Sequence, residues 1–177
     1  MIIQIRGTSG SGKSTVVKKI MQARPYLEPH YIEKRKRPLF YLGKGLLILG
    51  HYEIACGGCD TIGSVPQIFE VLKTLPPYKH LIMEGLLLSE DVIWTVKLQN
   101  EVRSLFLTTS PQESLRRVAI RQEGREPANP ERLKEKLESR MYRIEKIRKR
   151  LIDAGSYTQR CNSDQAVKII ENWIKDE

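Results

Sequence analysis

Short apolar runs alternate with amphipathic stretches along most of this chain. Residues 2–6 are rich in isoleucine and bounded by Gly7, which predicts a buried strand. Residues 14–23 read as a helix stopped by Arg24-Pro25, since the residue before a proline disfavours helical dihedrals. Residues 26–37 are polar and basic and read as loop. Residues 39–50 carry two apolar runs about Gly43-Lys44-Gly45, the pattern of a hairpin or of a strand with a turn. Residues 51–63 are glycine-rich and irregular. A helix is predicted over 65–75, closed by Pro76-Pro77, then a strand over 80–83 running into Glu84-Gly85. Residues 90–99 read as helix, 103–108 as strand and 112–121 as helix. Residues 122–130 hold two prolines, a glycine and alternating charges, and read as a mobile loop. Residues 131–153 form a long charged helix whose buried stripe is Leu133, Leu137, Met141, Ile144 and Ile147. A last strand over 156–161 and a last helix over 164–175, with Ser163 as its N-cap, complete the pattern. Strands alternating with helices predict an α/β fold: a central parallel sheet covered on both faces, in three layers.

Composition changes this picture little. The 177 residues are 40% hydrophobic and 29% charged, as in an ordinary soluble domain, and no low-complexity tract or linker divides them. One domain over 1–177 is expected. No apolar run approaches the roughly 18–20 residues of a membrane span. The start shows no signal peptide, so a cytoplasmic location is expected. Three cysteines imply no disulfide framework. Charge is more informative: 30 basic against 21 acidic residues leave a net +9, which suits a polyanionic partner such as nucleic acid, or a solvated basic helix face.

The candidate chemistry begins at Gly7. Gly7-Thr8-Ser9-Gly10-Ser11-Gly12-Lys13-Ser14 fits G-x-x-x-x-G-K-[ST] at every fixed position, between a predicted strand and a predicted helix. Glycines let the backbone turn so that successive N–H groups form an anion nest, and the helix N-terminus adds partial positive charge. The phosphate-binding set is therefore Gly7, Ser9, Gly10, Ser11, Gly12, Lys13, Ser14 and Thr15. Lys13 reaches the terminal phosphates and the Ser14 hydroxyl ligates magnesium (Mg2+), with ATP the expected donor. A GTPase-type switch is the rival from a different class. Asp60-Thr61-Ile62-Gly63 matches D-x-x-G, but no N-K-x-D follows to read guanine.

Further along, Arg116, Arg117 and Arg121 lie on one predicted helix, and Arg125 in the loop over 122–130. This resembles the lid of small P-loop kinases of the nucleotide, gluconate and shikimate class. The resemblance implies that Arg117, Arg121 and Arg125 clamp the transferring phosphoryl group, with Arg140 or Arg143 as a further clamp. A well-placed arginine is worth roughly 10³–10⁵ in rate, because charge spreads over the equatorial oxygens. It also implies that Glu84 holds magnesium through water or orients the acceptor, and that an acid near the end of the second strand takes the acceptor's proton. Asp60 is the preferred base and Glu53 the alternative; His51 is a weaker candidate. Cys56 and Cys59 spell C-x-x-C, but a zinc site needs two more ligands, for which only His51 and Cys161 are conceivable. Shaping a tight acceptor loop is the default role.

GHYEIACGGCD (50–60) and HLIMEGLLLSED (80–91) carry a narrower likeness. With the helix between them, they resemble phage-encoded P-loop kinases of the thymidine hypermodification pathway. Those enzymes phosphorylate 5-hydroxymethyluracil bases already within DNA. The resemblance implies a nucleotide-kinase-like fold with a lid at 122–130, an acceptor region at 26–63, and DNA as partner. Lys34-Arg35-Lys36-Arg37 and the basic residues of the long helix would meet phosphates. Tyr26, Tyr31, Phe40, Tyr41 and Tyr52 include candidates for stacking on a displaced base, although core packing is expected for at least half of them. A small-molecule kinase acting on a nucleoside, nucleotide or sugar acid is one alternative. A nucleotide-dependent DNA-binding switch without transfer chemistry is the other.

Overall fold

A computed structural model describes residues 1–33, 35–54, 57–98, 102–121 and 130–175. Seven strands form one sheet in the order β2-β3-β4-β5-β1-β6-β7. They are β1 (Ile2–Arg6), β2 (Glu28–His30), β3 (Phe40–Gly43), β4 (Leu46–Leu49), β5 (His80–Glu84), β6 (Val102–Leu107) and β7 (Tyr157–Cys161). The five strands from β4 to β7 across the sheet run parallel. The sheet is not parallel throughout, because β2 and β3 are antiparallel additions at one edge. Lys44 (φ 47°) and Gly45 (φ 78°) make the two-residue turn between β3 and β4, which settles the hairpin.

The helices are α1 (Lys13–Gln22), α2 (Val65–Leu72), α3 (Leu86–Ser89), α4 (Ile93–Lys97), α5 (Pro111–Arg121), α6 (Pro130–Asp153) and α7 (Ser163–Lys175). Side chains alternate across β1. Ile3 and Ile5 pack with Val16, Val17 and Ile20 of α1 and with Ala166 and Ile170 of α7. Ile2 packs on the opposite face, in a cluster with Ile68 and Phe69 of α2. A third cluster, built on Phe106, Ile144 and Leu151, seats α6. The three layers expected from the pattern are present.

The differences from the pattern have local causes. The loop over 26–37 contains β2, a strand too short and polar to show a period. The helix expected over 90–99 is the shorter α4, which starts only at Ile93 because the Asp91 carboxylate accepts from Trp94 N (3.2 Å) and Thr95 N (2.9 Å); the short α3 before it, over Leu86–Ser89, was not expected. Asn162, not Ser163, caps α7: its Oδ1 accepts from Gln165 N, while Gln165 Oε1 accepts from Asn162 N, both at 2.9 Å.

Arg6 is the charged residue of the buried strand β1. It is fully buried, yet its guanidinium finds acceptors on several sides. It donates to Asp91 O (2.7 Å), Thr95 Oγ1 (2.5 Å) and Gln4 Oε1, and lies over the Phe106 ring. Burial lowers its pKa to about 10, with Asp91 opposing the shift. This network fixes the corner between α3 and α4 to the end of β1, directly ahead of the loop at Gly7.

Candidate active site

The loop between β1 and α1 closes on itself. Lys13, only 7% exposed, donates from Nζ to Gly7 O and Thr8 O, each at 2.9 Å. Burial lowers its pKa, opposed by the charges of Glu84 and Asp60. Gly10 (φ 76°) is held so near the Ser114 carbonyl of α5 that a Cβ would overlap it, so the loop requires glycine here.

β5 lies next to β1 in parallel and ends at Glu84, opposite Ile5. Adjacency of two strand ends therefore brings Glu84 to the loop. Ser14 Oγ donates to Glu84 Oε1 at 2.8 Å. Glu84 is 2% exposed, and burial raises its pKa, opposed by Lys13 and then by the Ser14 hydrogen bond. A hydroxyl and a carboxylate in contact are hard oxygen donors of the kind a magnesium ion accepts. The donor set therefore fits that ion.

Asp60 reaches the same place from the far side. Its Oδ2 accepts from Leu86 N at 2.6 Å and its Oδ1 from Leu87 N at 3.0 Å, so it caps α3. Gly58 makes this approach possible. It adopts φ 74°, ψ −160°, and a Cβ there would fall onto the Glu84 carboxyl group. Ser89 completes the tie: its hydroxyl donates to Gly85 O (2.6 Å) and accepts from Gly7 N (3.0 Å).

The result is a cleft of about 330 Å³ whose lining includes Lys13, Ser14, Asp60, Glu84 and Arg121. Ser9, Gly10, Gly12 and Thr15 also line it. Gly7 and Ser11 do not. The Gly7 amide is engaged by Ser89, and Ser11 is buried beneath Thr109, which donates to its carbonyl (2.9 Å). Glu53 is exposed and is not among the lining residues, whereas Asp60 is. Arg117 donates to Glu113 (2.7 Å) and to Gly10 O (3.4 Å), beside a smaller hollow that it shares with Arg121. Arg116 is paired with Glu113 and its side chain is 62% exposed. Arg140 and Arg143 both meet Glu90, at 2.7 and 3.6 Å. Arg125 and nearly all of the expected lid at 122–130, together with Lys34 and Cys56, lie outside the described residues.

Sequence reasoning missed Lys18, Gly57 and Leu86, which line the cleft, and Ser89, which ties it. Lys18 stands one helical turn after Ser14, a spacing that could have exposed it. Gly57, Leu86 and Ser89 lie within the stretches 50–60 and 80–91 that carry the family likeness, but no spacing set them apart from their neighbours. Cys59 is fully buried and its thiol pKa is pushed well up by burial, the reverse of a reactive thiolate. Cys161 lies at the opposite end of the sheet on β7, so it does not join Cys59 in a zinc site. No group of three or more His, Cys, Asp or Glu is gathered for a metal among the described residues. A larger hollow of about 440 Å³ between Thr8, β6, β7 and α6 contains none of Lys13, Ser14 and Glu84, so it stands apart from this chemistry.

No family model matches the chain. It is 47% identical over 106 residues to a 5-hmdU DNA kinase of Pseudomonas phage PaMx11, a match covering 56% of each chain. It is 38% identical over 64 residues to a 5-hmdU DNA kinase of Delftia phage PhiW-14, covering 34% of this chain and 22% of the relative. The chain thus spans about half the length of the first relative and less of the second. Among solved structures, deoxyadenosine kinase from M. mycoides with dCMP and dCDP superposes over 100% of both chains, with a TM-score of 0.52 at 16% identity. The YorR protein from Bacillus subtilis, in complex with phosphorylated GDP, covers 98% of this chain and 94% of its own, with a TM-score of 0.52 at 13% identity. No helix among the described residues is long and apolar enough to cross a membrane. A strand, a G-x-x-x-x-G-K-S loop and a helix at the centre of a mostly parallel sheet, shared in shape with these nucleotide-bound proteins, give the chain the α/β fold of the P-loop kinases.

Proposed function

We propose that this protein is an ATP-dependent kinase that transfers the γ-phosphate of ATP to the hydroxymethyl group of 5-hydroxymethyluracil in DNA, in the cytoplasm of a phage-infected cell. The observation that carries the proposal is the convergence of Lys13, Ser14, Glu84, Asp60 and Arg121 on one cleft, in a chain nearly half identical over its matched length to a phage kinase of that name.

The loop amides and Lys13 hold the β- and γ-phosphates. Ser14 and Glu84 would hold a magnesium ion, the first directly and the second through water, and that ion would supply charge compensation for the phosphate oxygens. Arg121 and Arg117, on the side where α5 leads into the lid, compensate charge on the γ-phosphoryl group, and Arg125 acts from the lid itself. The hydroxymethyl oxygen forms the new P–O bond as the bond from the γ-phosphorus to the bridging oxygen breaks and ADP departs. The hydroxyl proton passes to a carboxylate. Asp60 is favoured for this because it lines the cleft, and each of its oxygens keeps a lone pair beyond the one given to α3. Basic residues over 34–37 meet the DNA backbone. This side adjoins the cleft, since Arg35 donates to Thr61 O at 3.1 Å, next to Asp60.

The test is a panel of acceptors incubated with γ-labelled ATP: hydroxymethylated DNA, unmodified DNA, free nucleosides and free nucleotides. Label is expected in hydroxymethylated DNA alone. Label confined to free nucleosides or nucleotides replaces DNA with a small-molecule acceptor. No label anywhere, with nucleotide still bound, leaves a binding switch.

A further inference from the structure

The reacting groups lie too deep for a base to be reached within a duplex. Lys13 is 7% exposed and Glu84 2%, at the floor of a cleft of about 330 Å³. That volume takes a phosphate group and one ring, not a double helix whose major groove alone is about 12 Å wide. A base in duplex DNA must therefore leave its stack, and the gap it vacates costs a few kcal/mol unless something fills it.

Two exposed aliphatic residues adjoin lining residues of this cleft through their main chains. Leu87 follows the lining residue Leu86 and is 44% exposed, with its amide held by Asp60. Ile54 is 39% exposed, and its carbonyl accepts from Lys18, another lining residue, at 3.1 Å. Neither belongs to the hydrophobic core clusters. Single exposed apolar side chains are common on protein surfaces; these two differ in adjoining residues of a cleft that carries Lys13, Lys18 and Arg121. The basic segment fixed nearby through Arg35 and Thr61, and by Arg37 against His51 (3.5 Å), supplies charge complementary to a phosphate backbone. On α6, by contrast, Arg140, Arg143 and Arg148 are already paired with Glu90 and Glu145.

We propose that Leu87 and Ile54 form an apolar wedge that enters duplex DNA beside the target base, occupies the vacated stack and holds the base in the cleft. Apolar side chains inserted between base steps act in this way in proteins that kink or open DNA. This inference rests on the kinase reading above, and deepens it by making the duplex the substrate. A single strand, whose bases are already free to turn outward, has no need of the wedge.

The experiment compares wild type with Leu87→Ser, Ile54→Ser and the control Ile93→Ser, which alters a residue 69% exposed on α4. Each receives three hydroxymethylated oligonucleotides: a duplex, the same strand alone, and a duplex with an abasic site opposite the target. Leu87→Ser is expected to lose about tenfold or more in kcat/KM on the duplex and less than about twofold on the single strand, with the abasic partner restoring most of the loss, since an unpaired base is cheaper to extrude. Fluorescence of 2-aminopurine placed next to the target should rise on binding wild type and fail to rise with Leu87→Ser. Equal losses on duplex and single strand, or equal losses with Ile93→Ser, overturn the wedge. Wild type that labels no hydroxymethylated DNA of any form overturns the kinase reading instead, so the two failures are distinct.

Discussion

Replacing Gly58 with alanine tests how tightly the acceptor loop is fixed to the catalytic floor. Gly58 adopts φ 74°, ψ −160°, a region that other residues enter only at a cost of about 1–3 kcal/mol. The new Cβ would also stand 2.7 Å from Cδ of Glu84 and 2.7 Å from its main-chain oxygen. Neither neighbour can yield. The side chain is held by Ser14 and the carbonyl belongs to a strand flanked on both sides. The loop must lift instead, and Asp60, two residues on, moves with it. For a protein of this length each kcal/mol shifts Tm by about 2–4 °C, so the backbone cost alone predicts a fall of about 2–12 °C. A shift of about 1 Å in a positioned group costs on the order of 10²-fold in rate. Thermal unfolding and single-turnover phosphate transfer, with nucleotide affinity measured alongside, check both figures. Gly155→Ala is the control, because Gly155 has φ 77° but nothing within 4 Å of the added carbon. If Gly58→Ala unfolds no earlier than Gly155→Ala and turns over normally, the contact with Glu84 does not fix the loop and the reasoning fails.

Lys13→Ala should reduce transfer by at least about 10²–10³-fold, as for removal of one charge-stabilising donor, while unfolding stays cooperative. Asp60→Asn places an N–H₂ group against an amide of α3 and should cost about 0.5–2 kcal/mol of stability as well as turnover; Glu53→Gln, at an exposed position, should leave both near wild type, and the opposite pattern makes Glu53 the base. Glu84 has its proton affinity raised by burial, so its ionised form is disfavoured in the fold and stability falls as pH rises from the ordinary carboxylate value through the shifted one. Glu84→Gln should therefore raise Tm at neutral pH while suppressing activity, and the gain should vanish below the ordinary carboxylate value of 4.5; a variant less stable at neutral pH contradicts this. Replacing Arg35 and Arg37 together with glutamine should flatten the dependence of DNA affinity on salt by about one unit of slope for each phosphate no longer neutralised, and an unchanged slope places the DNA track elsewhere.

Local chemistry determined much of this protein before any folding was considered. The phosphate loop was legible because its function needs particular residues at consecutive positions: glycines to turn, a lysine to reach, a serine opening the helix. The layer order was legible because β1, β4, β5 and β6 are short apolar runs buried almost throughout, set between amphipathic helices. Gly43-Lys44-Gly45 left a hairpin or a strand with a turn open, which the antiparallel pairing of β3 with β4 decided, and the stripe on α6 followed from its helical spacing. What the tertiary structure alone decided is which distant residues meet. Glu84 reaches Ser14 because β5 pairs with β1, a matter of strand order that no local pattern encodes. Asp60 is separated from Glu53 as a candidate by where a glycine pair folds the chain, not by residue type. Arg6 ends a strand expected to be buried, and its charge is tolerated there because Asp91 and Thr95 arrive from some 85 residues away to join Gln4 of the same strand in accepting its hydrogen bonds. Periodicity reports the side of an element that faces inward; charge and hydrogen-bond partners depend on contacts across some 80 residues, and those exist only once the sheet has assembled.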